Sequence, residues 1–74
     1  MPVLGGGGSC NERAGASLIG RAADANVGNE AQRLTGARTM RWIRPGDMVT
    51  MEYSPGRLNI HLDERNRVKR LSCG

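Results

Sequence analysis

Asp47-Met48-Val49-Thr50-Met51-Glu52-Tyr53 is the stretch whose residue types could do chemistry on a partner. Its β-branched and long side chains favour an extended backbone, and no helical apolar stripe runs through it. Turn residues bound it on both sides, Pro45-Gly46 before and Ser54-Pro55-Gly56 after. An extended segment held between two turns has the shape in which a substrate peptide is offered to a protease. We therefore read it as a protease-binding loop.

Catalysis by the chain itself finds no support. His61 is the only histidine, and no acid and nucleophile are arranged near it in the sequence as a catalytic set would require. Gly5-Gly6-Gly7-Gly8 has neither the preceding strand nor the following Lys-Ser or Lys-Thr of a phosphate-binding loop. Cys10 and Cys73 stand almost at the two ends of the chain, which suggests one disulfide and an oxidising compartment, secreted or periplasmic. Two free thiols, or part of a metal site, are the alternatives; with His61 as the only further soft ligand, one chain cannot complete a four-ligand zinc site. We expect no cofactor and no metal.

Eleven Lys and Arg against seven Asp and Glu give a net charge of +4 and a pI near 10.0. Nucleic acid is not the expected partner, because the cations are interleaved with acids and Trp42 and Tyr53 alone make no stacking platform. The charge is read as solvation and electrostatic steering. No apolar run has the length of a membrane span.

The elements that must position the loop are those of one small domain. Its 74 residues include 38% hydrophobic ones and no Phe, and a chain this short buries only about 60% of its unfolded surface. A thin core and a covalent staple are expected. Residues 1–9 read as a flexible Gly-rich lead-in and 10–74 as the folded domain. A first helix starts at the cap Asn11, with Ala14, Leu18 and Ile19 on one face before Gly20. A second is capped by Asp24 or Asn26, repeats Val27, Ala31 and Leu34, and ends at Gly36 in the left-handed conformation. Gly28 weakens that helix by about 1 kcal/mol relative to Ala.

Arg38 to Arg44 reads as the first strand, with Met40 and Trp42 on one face, Trp42 in the core and Ile43 turning inward. Leu58, Ile60 and Leu62 alternate with Asn59 and His61 in a half-buried second strand, so that His61 points outward. Glu64 to Asn66 is a hairpin turn, and Val68 to Cys73 a third strand antiparallel to the second. The spacing of Val68 and Leu71 breaks strict alternation, which predicts a bulge or an irregular edge.

These residues resemble two known groups of inhibitors. Gly46 to Tyr53, followed by Arg57-Leu58-Asn59-Ile60-His61-Leu62-Asp63, resembles the binding loop and next strand of the potato inhibitor I family, which includes barley chymotrypsin inhibitor and eglin; Val49-Thr50-Met51-Glu52-Tyr53 matches the barley loop letter for letter. From Cys10 to Gly74 the chain is still more similar to the peptidase inhibitor family typified by fungal elastase inhibitor. Cys10, Leu18-Ile19-Gly20, Arg44-Pro45-Gly46, Arg57-Leu58-Asn59 and Cys73-Gly74 fall in that family's order.

The resemblance implies an α+β wedge, with short helices on a three-stranded mixed sheet. Strands one and two would be parallel and joined by the exposed loop, strand three would be antiparallel, and there would be one disulfide. It also implies a scissile bond at Met51-Glu52, with Met48, Val49, Thr50 and Tyr53 completing the binding loop. Arg57 would brace the acceptors on Thr50 and Glu52 by charge-assisted bonds. Asn59 stands where many potato-type relatives place a second Arg, and Gly74 packs beneath the loop. The expected partners are serine proteases with apolar primary pockets, of subtilisin, chymotrypsin or elastase type, bound by a monomer. A non-inhibitory interaction or adhesion module on the same fold is the reading from a different class.

Overall fold

The computed structural model describes residues 10–49 and 53–74. The expected lead-in at 1–9, and Thr50, Met51 and Glu52, lie outside the described residues. Five elements follow in order: a 3-10 helix Glu12–Leu18, helix α1 Ala25–Thr35, and strands β1 Thr39–Ile43, β2 Arg57–Leu62 and β3 Val68–Cys73.

The strands form one sheet in that order, β1 parallel to β2 and β2 antiparallel to β3. Both helices pack on one of its faces. Leu58 and Ile60 are fully buried there, and Leu18, Val27, Ala31, Ala37, Leu62, Val68 and Leu71 complete the cluster. Burying one such Leu, Ile or Val side chain is worth about 1.5–3 kcal/mol. Cys10 joins Cys73 across the base with a Cα–Cα separation of 5.9 Å, so neither cysteine is free. The entropy of closing so long a loop corresponds to roughly 4 kcal/mol.

The first helix departs from the expected one. It is 3-10, and its buried residues are Gly15 and Leu18, while Ala14 and Ile19 face outward. A three-residue turn brings i and i+3 to one side, and Gly15 lets that side approach the sheet closely. A Cβ at Gly15 would stand 2.6 Å from Leu71 Cδ1. Asn11 is the cap as expected, accepting from the Arg13 N–H.

Of the two caps considered for α1, Asp24 is the one used. Its carboxylate accepts from the Val27 N–H at 2.8 Å, and Asn26 lies inside the helix, exposed. Gly36 ends it at φ 75. Gly28 has a packing role: a Cβ there would meet Trp42 Cζ2 at 3.0 Å, so its absence lets helix and sheet close on each other. Trp42 is half-buried against the core rather than enclosed by it.

β1 is one residue shorter at each end than the 38–44 expected. The irregularity foreseen on β3 is present, as a register shift between His61 and Leu62 that lets Val68 and Leu71 share a buried side. The hairpin turn is fixed by Asp63, whose carboxylate accepts from the backbone N–H groups of Arg65 and Arg67.

Candidate functional site

The second face of the sheet looks away from the helices. Alternation along each strand presents Arg41 and Ile43 from β1, Arg57, Asn59 and His61 from β2, and Arg70 and Ser72 from β3. Val49 and Tyr53, from the segment between β1 and β2, border this face.

Both ends of that segment are anchored by the turn residues already noted. At the start, the Asp47 N–H donates to the Arg44 carbonyl at 3.0 Å and the Asp47 carboxylate accepts from the Arg44 N–H at 2.9 Å. At the return, the Arg57 N–H donates to the Ser54 carbonyl at 2.9 Å, and the Gly56 carbonyl accepts from the N–H groups of Arg38 and Thr39. The Arg38 guanidinium fills the space where a Gly56 Cβ would sit, 2.9 Å from Nε. Between these anchors Met48 is 97% exposed and Tyr53 75%, a degree of apolar exposure that the interior does not explain.

Beneath the return limb lies a hydrogen-bonded set centred on Asn59 and Gly74. Arg57 Nε and Asn59 Nδ2 each donate to the Gly74 oxygen at 3.1 Å, and the Gly74 N–H donates to the Arg57 carbonyl at 2.9 Å. Gly74 has φ 132, and a Cβ on it would be 3.0 Å from Tyr53 Cδ1 and Cε1. The Tyr53 ring thus rests on Gly74, next to the disulfide at Cys73. On the base side, the Cys73 N–H donates to the Glu12 carboxylate at 3.0 Å.

Asn59 is 6% exposed and uses both ends of its amide. Oδ1 accepts from Arg41 Nε at 2.7 Å, and Nδ2 reaches Ser72 Oγ at 3.4 Å besides Gly74. Ser72 Oγ also lies 3.0 Å from His61 Nε2. Either group can donate in that contact, according to the imidazole tautomer. Burial, then the charges of Arg70, Lys69 and Arg41, push the His61 pKa below its ordinary 6.5 and favour the neutral imidazole.

Of the residues expected in the site, Tyr53, Arg57, Asn59, Gly74 and Cys73 come together around Gly74, Val49 borders the same cleft, and Met48 projects into solvent. The suggested bonds from Arg57 to Thr50 and Glu52, and the bond Met51-Glu52, involve residues outside those described. Arg41, Ser72 and the half-buried side of His61 were not foreseen. Alternation alone puts them on the correct face, but their meeting depends on strand register. Among the described residues no group of three or more His, Cys, Asp or Glu could hold a metal ion, and no helix is long and apolar enough to cross a membrane.

Comparison with known proteins gives a consistent result. The model of the peptidase inhibitor I78 family matches residues 10–74. The elastase inhibitor AFLEI of Aspergillus flavus is 39% identical over 56 residues, covering 76% of this chain and 76% of that protein. The elastase inhibitor AFUEI of Aspergillus fumigatus is 39% identical over 56 residues as well, covering 76% of this chain and 60% of its own length. The solved structure of elastase inhibitor AFUEI in its crystal form II superposes with a TM-score of 0.69 at 35% identity, covering 84% of this chain and 85% of that chain.

Proposed function

The chain belongs to the peptidase inhibitor I78 family, and from that premise we propose that it inhibits serine proteases by offering residues 48–53 as a substrate-like loop with Met51-Glu52 as the reactive bond. The observation that supports this most is the anchoring around Gly74. The return limb rests through Tyr53 on a residue that Arg57 and Asn59 hold from below and the disulfide ties to the base. A loop fixed before binding avoids the ordering cost of a flexible peptide.

In this reading Met51 enters the primary pocket, where an unbranched thioether adapts to apolar walls. Extended backbone on either side pairs with the enzyme's edge strands. After acylation, the amine of Glu52 stays close to the acyl group and re-forms the bond faster than water removes it. The disulfide adds a topological constraint, since Cys10 precedes the reactive bond and Cys73 follows it. A molecule cut at that bond keeps its two pieces covalently joined.

Proteases of subtilisin, chymotrypsin or elastase type fit the apolar Met51; the names of the Aspergillus relatives favour elastase-like targets. We take residues 10–74 as the inhibitory domain, acting as a monomer outside the cell, where the disulfide is stable. The test is steady-state inhibition of subtilisin, chymotrypsin, elastase and trypsin, repeated with Met51→Arg. Inhibition of one of the first three and not of trypsin, with the variant shifted toward trypsin, is expected because an acidic pocket leaves Met without a charge partner. Inhibition with unchanged selectivity in the variant would remove Met51 from the pocket. Absence of inhibition altogether would leave a non-inhibitory interaction module on this fold.

A further inference from the structure

The sheet face that the helices do not cover carries two arginines, Arg41 and Arg70, on its edge strands. Strand register sets Arg41, Asn59 and Ser72 in one row across the three strands, and Ile43, His61 and Arg70 in the next. A cleft of about 300 Å³ opens over these two rows, with Val49 and Tyr53 on its far side. Arg41 and Arg70 stand on the two edge strands in adjacent rows, about 12 Å apart at strand level given the usual strand spacing and rise. Their side chains flank the cleft from opposite sides.

Neither guanidinium has a carboxylate partner among the described residues, where the ion pair present is Arg33–Glu30 on α1. Arg41 spends Nε on Asn59, which leaves both of its terminal NH₂ groups for another acceptor. Between the two arginines lie Ser72 and the only imidazole of the chain. Lys69, also on β3, adds to the positive potential felt there.

We infer that this cleft binds a doubly charged tetrahedral oxyanion, gripped by Arg41 and Arg70 above the Ser72 and His61 side chains. Two guanidinium groups match such an ion in charge and in number of acceptor oxygens, where a single carboxylate would satisfy only one of them. The ion would join the two edge strands across β2, on the side of the sheet that the helices do not cover. This site does not depend on the inhibitory reading.

Its test needs no protease. The imidazole of His61 is titrated by NMR in sodium sulfate and in sodium chloride at equal ionic strength; sulfate is chosen because it does not change protonation over the titrated range. A bound dianion favours imidazolium, so sulfate should raise the His61 pKa in a saturable manner. Arg41→Gln and Arg70→Gln should each weaken half-saturation by about tenfold, the usual worth of a bond to a charged group, while Arg33→Gln on α1 should not alter it. Arg70 is exposed, so its replacement leaves the core intact. Equal pKa values in the two salts would overturn the proposal. So would an undiminished sulfate effect in Arg70→Gln, which would mean screening or an adventitious ion only.

Discussion

The aromatic ring of Tyr53 lies on Gly74, close enough that a Cβ at Gly74 would come within 3.0 Å of two ring carbons. The same glycine accepts from Arg57 and Asn59 and follows a disulfide-bonded cysteine. One residue therefore connects the return limb of the loop, the middle strand and the base of the fold.

Gly74→Ala tests that connection. Alanine is strained at φ 132 and would displace the Tyr53 ring, at a cost on the order of 1–3 kcal/mol. The expected result is inhibition weakened roughly tenfold or more, together with a thermal unfolding temperature lower by several degrees, because strain in the folded state also lowers its stability. Undiminished inhibition would show that the ring contact does not support the loop.

Gly15→Ala should lower stability without touching the loop. Its Cβ would meet Leu71 Cδ1 at 2.6 Å and Thr35 Cγ2 at 3.2 Å, both belonging to buried residues. Overpacking of this kind costs about 1–3 kcal/mol. Chemical denaturation should therefore show lower stability, with inhibition at low temperature unaffected. A stability equal to that of the parent would mean that the 3-10 helix moves away from the sheet without penalty.

These two glycines also mark where the sequence was readable and where it was not. Leu58, Ile60 and Leu62 announce β2 by simple alternation, Gly36 and Asp24 bound α1 by local capping chemistry, and the interval between Val68 and Leu71 betrays the bulge. All of that is decided within a few residues. The first helix is different: its type and buried side follow from how closely Gly15 can approach Leu71, a contact 56 residues away in the chain. The Arg41–Asn59–Ser72–His61 chain of bonds was equally hidden, because it requires the register of three strands. Asn59, read as a shorter substitute for an arginine brace, proves to be the one side chain that bonds Arg41, Ser72 and Gly74 together.

His61 should make stability depend on pH. Its folded pKa lies below the ordinary 6.5, through burial first and then Arg70, Lys69 and Arg41. Below pH 6.5 the unfolded chain therefore takes up the proton before the folded one does. Stability is full above that pH, declines as pH falls toward the folded value, and declines no further on this account below it. Asp63 acts in a separate, more acidic window. The Arg67 N–H is the main cause that holds its carboxyl below the ordinary 3.8, so its contribution is present above 3.8 and is lost as pH falls through the folded value. Urea midpoints measured in chloride buffers from pH 8 to pH 5 should fall for the parent and stay flatter for His61→Gln. Parallel curves would exclude His61 as the cause.

The central claim is that the loop is cut, if at all, at one bond and can be re-formed. It is tested most directly by mass spectrometry of the protein after prolonged incubation with a catalytic amount of subtilisin, with and without reduction. A stable mixture of intact protein and a form heavier by one water, which still inhibits, is expected. Reduction should split that form into fragments ending at Met51 and beginning at Glu52, because Cys10 and Cys73 lie on opposite sides of the cut. Progressive digestion at several bonds, or a single cut elsewhere, would contradict it.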